Sequence, residues 1–124
     1  MGTDISMRDS MFFIPNFQIK NVLAAGKAMT ACYKYIQYEY KHATRIDQLF
    51  RMWGYMIDWD ETGNITSIAL EASYLGDEFE FFKIIAPFVK EGSYIEIDCQ
   101  GEKIWRWVFD GKACRQIYPK IVWD

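Results

Sequence analysis

"SYIEIDCQGEKIWRWVFDGKACRQIY", residues 93–118, is the stretch whose reading decides the fold. Bulky β-forming residues alternate with polar ones through Tyr94–Asp98 and again through Lys103–Phe109. Gln100–Gly101 and Asp110–Gly111 interrupt them with turn residues. The pattern predicts a three-stranded antiparallel meander that stops at Pro119, which has no N–H to give to a ladder. The "KIVW" beyond it, residues 120–123, is a candidate extra edge.

Two-residue turns would fix the register by simple counting. Asp98 then faces Lys103, Glu96 faces Trp105, and Tyr94 faces Trp107. The opposite side carries Ile95, Ile97, Cys99, Ile104, Arg106 and Val108, with Ala113 and Ile117 from the third strand. The aliphatic side is expected to lie under a helix. The aromatic and charged side, Tyr94, Glu96, Asp98, Lys103, Trp105 and Trp107, is the candidate partner-binding surface, because large aromatic residues dominate interface hot spots. The competing reading covers the same rings with the N-terminal helix or the central hairpin, as core. This register also sets Arg106 opposite Arg115, an unfavourable pair. An acid from a helix, Glu78 or Glu80, or a bulge in the second turn would relieve it.

Upstream, residues 1–10 read as a flexible tail. "FFIPNFQI", residues 12–19, reads as a short strand made irregular by Pro15. From Lys20 to His42, Val22, Ala25, Met29, Tyr33, Ile36 and Tyr40 recur at helical steps. Thr44 is placed to cap a second helix that buries Ile46, Leu49, Phe50 and Trp53 and stops at Gly54. "YMIDWDETGNITSIALEA", residues 55–72, reads as a hairpin turning at Asp60–Asn64. A third helix opens at Asp77 and ends near Gly92, weakened at Pro87. The expected fold is a single α+β domain over residues 1–124. Its antiparallel sheet combines an N-terminal strand, the hairpin and the meander, and two or three helices pack on it.

The composition agrees with a packed core. In 124 residues, 51% are hydrophobic and 18% aromatic, which excludes a disordered chain. The net charge of −3 is unevenly spread, with three Lys/Arg against nine acids between residues 46 and 91. An acidic chain argues against non-specific nucleic-acid binding, which depends on a broad positive field. Three scattered cysteines, Cys32, Cys99 and Cys114, and the lone His42 supply neither a zinc set nor a disulfide framework. No apolar run reaches the ~20 residues that a membrane helix needs. The expected setting is therefore cytoplasmic, with no membrane, cofactor or metal.

Motifs that carry chemistry fail on their details. "AAGKAMT" lacks both the upstream glycine and the following hydroxyl of a phosphate loop. "DWDETGNI" imitates the start of a calcium loop, but Ala69 stands where the bidentate carboxylate belongs. Lys20, Lys27, Lys34 and Lys41 form a row opposite the apolar helix face, as solvated helix backs do. Glu96 and Asp98 are the carboxylates available to a minor glycosidase-type enzyme, although strand alternation accounts for their spacing.

The sequence therefore points away from catalysis. The reading it favours is a small non-enzymatic interaction protein binding a macromolecular partner, of the inhibitor, immunity or phage-antagonist type. That partner is a protein, with a homodimer as a variant. The alternatives are a small-ligand or single-stranded nucleic-acid binder, stacking on Trp105 and Trp107, and the carboxylate enzyme.

Overall fold

The computed structural model describes residues 4–30, 45–72 and 76–123. Strand β1 (Ile5–Met11) leads through a 3-10 turn (Asn16–Gln18) into helix α1 (Ile19–Thr30). Helix α2 (Ile46–Met52), strands β2 (Tyr55–Trp59) and β3 (Ile65–Leu70), and helix α3 (Glu78–Ile85) follow. A 3-10 turn (Ala86–Phe88) then precedes β4 (Tyr94–Cys99), β5 (Lys103–Phe109) and β6 (Cys114–Ile117). The strands form an antiparallel four-stranded sheet, ordered β1-β4-β5-β6, and a separate pair, β2-β3. The α+β architecture is as read from the sequence, but the central hairpin makes a sheet of its own.

Two N-terminal expectations are corrected. Residues from Ile5 onward are a strand, not a tail, because β1 pairs with β4 from Ile5↔Cys99 to Met11↔Tyr94. The residues expected as a strand, 12–19, instead hold an isolated bridge, Ile14↔Ile65, and the 3-10 turn. A bulge at Arg8 shifts the register between Met7 and Asp9. It leaves Ile5 and Met7 against the core and turns Asp9 and Met11 outward, so no carboxylate is buried there.

The central correction is the meander register. Cys99 pairs with Lys103, Ile97 with Trp105, and Ile95 with Trp107, so three residues rather than two connect β4 to β5. Gln100 (φ 58°) and Gly101 (φ 74°) are both left-handed, and the Glu102 N–H donates to the Cys99 carbonyl at 3.1 Å. Asp98 Oδ1 holds this turn by accepting the Gly101 N–H at 2.7 Å. Glu102 is the extra residue, and one extra residue exchanges the two faces of β5. Trp105, Trp107 and Phe109 now share a face with Ile95, Ile97 and Cys99, and all six are buried.

Magnitudes explain why this register wins. Each indole buries roughly 150–250 Å², so at about 25 cal/mol per Å² it contributes on the order of 4–6 kcal/mol. The indole N–H groups of Trp105 and Trp107 find no acceptor among the described residues, a penalty of about 1–3 kcal/mol each. The alternative register would instead bury the guanidinium of Arg106, which is costlier still.

The second connection has four residues, Asp110 to Ala113, with Asp110 Oδ1 accepting the N–H groups of Lys112 (2.9 Å) and Ala113 (2.8 Å). Arg106 therefore faces Ile117, and Arg115 faces Val108. The two arginines are not opposed, and neither Glu78 nor Glu80 is needed between them.

The helices pack on the tryptophan side. Phe79 and Phe82 of α3 meet Trp107 at ring-centroid distances of 6.2 and 5.2 Å. Phe81 stacks on Trp53 at 5.4 Å and meets Phe50 edge-on at 5.2 Å. Helix α3 begins after Asp77, as its sequence predicts, but it ends at Ile85 rather than near Gly92, giving way to the 3-10 turn that holds Pro87. Thr44 and the rest of the helix expected as far as His42 lie outside the described residues. So do Cys32, Lys34 and Lys41.

Candidate partner-binding surface

With the helices on one side of the four-stranded sheet, its other side carries Tyr94, Glu96 and Asp98 from β4, Ile104, Arg106 and Val108 from β5, and Arg115 and Ile117 from β6. β1 adds Asp9 and Met11, turned to this side by the bulge at Arg8. The sequence reading had placed Arg106 inside and the tryptophans outside, and the structure reverses both. Of the six residues singled out, Tyr94, Glu96 and Asp98 stay together on the open face. Lys103 is exposed at the outer end of β5. Trp105 and Trp107 are 4% and 1% exposed and belong to the core, where no partner can dock on them.

The open face is ordered by polar contacts. Arg106 Nε donates to Glu96 Oε1 at 2.7 Å, while its Cζ lies 4.3 Å from the centre of the Tyr94 ring. Tyr94 donates its hydroxyl to Asp9 Oδ2 at 2.7 Å, and Arg8 Nε approaches the other oxygen of Glu96 at 3.6 Å. The Tyr94 hydroxyl, with the adjacent Ser10 N–H, holds the Asp9 carboxyl below the usual carboxylate range, and the same hydrogen bond raises the Tyr94 phenol. Two cations and two carboxylates are thus fixed in place with a ring between them. Glu96 is held by Arg106, and Asp98 by the first turn.

The neighbouring segment, read from the sequence as a candidate extra edge, is corrected. Residues 120–123 do not extend the sheet. Beyond Pro119 the chain carries Ile121, Val122 and Trp123 at 82%, 81% and 89% exposure, with Tyr118 and Ile117 also exposed. Pro119 is the signal, since it would fall beside Ile104 and has no N–H to pair with β5. A groove of about 270 Å³ opens beside Tyr118 and Pro119, lined also by Glu96, Ile104, Trp105, Arg106 and Ile117. Its volume is below that of a typical small-ligand pocket and suits one side chain or a short strand.

Asp60 Oδ1 accepts from the Thr62 N–H and hydroxyl and the Asn64 N–H, and Oδ2 from the Asn64 amide, so its loop is closed upon itself. No cluster of three or more His, Cys, Asp or Glu is placed to hold a metal ion among the described residues. Burial pushes the Cys114 thiol up to about 12, which keeps it protonated and unreactive. No helix among the described residues is long and apolar enough to cross a membrane. His42 lies outside the described residues. Comparison with protein-family models, curated proteins and solved structures gives no match to this chain.

Proposed function

We propose that the chain is a non-enzymatic interaction protein, of the inhibitor, immunity or antagonist type, that binds a protein partner. The binding surface in this reading is the open sheet face around Tyr94, Glu96 and Arg106, together with the apolar segment Tyr118–Trp123. The observation that supports it is the near-complete exposure of Ile121, Val122 and Trp123, which follow the edge strand of a sheet face that no helix of the described residues covers. Exposed apolar surface on a folded domain marks a contact site, and a Tyr–Arg stack on the open face together with an exposed Trp has the composition of a hot spot.

The test is a matched pair of captures from extract of the native host. A chain carrying Ile121→Ser, Val122→Ser and Trp123→Ser should lose the protein retained by the unaltered chain while keeping its melting temperature. Trp59→Ser, which alters an exposed tryptophan on the other sheet, should retain it. Equal capture by the triple variant would overturn the reading.

A further inference from the structure

The two edges of the four-stranded sheet are unequal. β1 lies against β3, and its Ser10 hydroxyl donates to the Ile68 carbonyl at 3.2 Å, so that edge is covered. β6 forms the other edge, and among the described residues no strand lies beside it. Alternate residues of a strand direct their N–H and C=O to opposite sides. Phe109 spends both groups towards β4, donating to the Ser93 carbonyl and accepting the Gly92 N–H. Val108 and Arg106 therefore serve β6 through Arg115 and Ile117, and the backbone groups of Cys114 and Gln116 face outward.

The surroundings of this edge specify a charge. From Lys112 to Trp123 the chain has three cations, Lys112, Arg115 and Lys120, and no acid, in a protein whose net charge is −3. Lys83 of α3 is close enough to act on Cys114 but is paired with Glu80 at 2.8 Å. Asp110 is committed to its own turn. Two copies pairing edge to edge would bring Arg115 towards Arg115, which disfavours self-association here. Pro119 ends the edge after a few residues, so sheet extension cannot run on.

We propose that β6 is the docking edge of the partner-binding surface and takes, as a fifth strand, an extended partner segment in which carboxylates alternate with apolar side chains. The outward backbone of Cys114 and Gln116 would supply main-chain hydrogen bonds. Arg115 and Lys112 would meet the carboxylates, and Ile117 with the segment beyond Pro119 the apolar residues. This rests on the proposed interaction role and names its partner chemistry. An open ladder edge is complementary to a peptide backbone and has nothing comparable to offer a phosphodiester chain.

The probe is a short synthetic peptide alternating glutamate and valine, with a lysine–valine peptide as its control, followed by amide NMR on the intact protein. The glutamate peptide should shift and protect from exchange the amides of Cys114 and Gln116, and the lysine peptide should not. Arg115→Glu, at an exposed position, should weaken binding by about tenfold. Gln116→Pro should abolish it while sparing the β5–β6 ladder, a point checked by the retained exchange protection of the Ile117 amide, which pairs with Arg106. Four outcomes would overturn the proposal: no shift, equal shifts with both peptides, the same shifts on adding an oligothymidine, or a concentration-dependent dimer through these amides without peptide. If the edge fails in any of these ways while the triple serine variant still loses its captured protein, the edge falls and the interaction role stands.

Discussion

Glu78 shows how one residue carries a cost that its surroundings only partly offset. It sits in the first turn of α3 at 2% exposure and accepts the Gly76 N–H at 2.7 Å. Burial raises its carboxyl above the usual 4.5, and the hydrogen bonds moderate the rise without cancelling it. A carboxyl raised on folding is more readily protonated in the native state. Its contribution is therefore favourable below its unfolded value and is lost as pH rises through the folded one. Glu78→Gln keeps an oxygen for the Gly76 N–H and removes the buried charge. Thermal unfolding at neutral pH should show the variant melting a few degrees higher, with the gap closing as pH falls below the unfolded carboxylate value. A variant that melts lower at pH 7 would show that the charge itself is needed. Nothing in "GDEFEFF" distinguishes this buried acid from its exposed neighbour Glu80.

At the scale of elements, α1 meets α2 through the absence of a side chain. A Cβ on Gly26 would lie 2.5 Å from Leu49 Cδ2, and Leu49 is fully buried and has no room to withdraw. Gly26→Ala would gain about 1 kcal/mol of helix propensity and incur about 1–3 kcal/mol of overpacking. Denaturant melts should therefore show a net loss; a gain would mean that the two helices part more easily than their contact implies. Nothing in the sequence around Gly26 announces this contact, because close approach between helices has no local signature. Other elements were legible for local reasons. Asp77 opens α3, Pro87 disrupts its end, and Gly54, at φ +91°, closes α2. The meander strands were legible too, but not their register, which hung on whether the first turn has two residues or three. A signal was nonetheless present. Counting with two placed Arg106 inside and Arg115 against it, whereas counting with three gathers Ile95, Ile97, Trp105, Trp107 and Phe109 on one face and leaves both arginines outside. Apolar pattern, not turn composition, decides such cases.

For the whole molecule, that single-residue shift moves the candidate surface from one side of the sheet to the other, and the five tryptophans report on it. Trp53, Trp105 and Trp107 are buried, while Trp59 and Trp123 are 54% and 89% exposed. Under the register first counted from sequence, Trp105 and Trp107 would join the exposed group unless another element covered them. Iodide reaches only solvent-exposed indoles, so quenching of the native protein should resolve an accessible class and a protected one. Trp123→Phe should remove much of the accessible class without changing the melting temperature. Trp107→Phe should leave that class intact and lower stability, since the smaller ring opens space against Phe79 and Phe82. The same measurement follows binding: a partner seated on the segment beyond Pro119 should shield Trp123 while Trp59, on the other sheet, continues to be quenched. Uniform accessibility of all the tryptophans in the free protein would contradict the helix-covered face, and unchanged quenching of Trp123 in a complex would remove that segment from the interface.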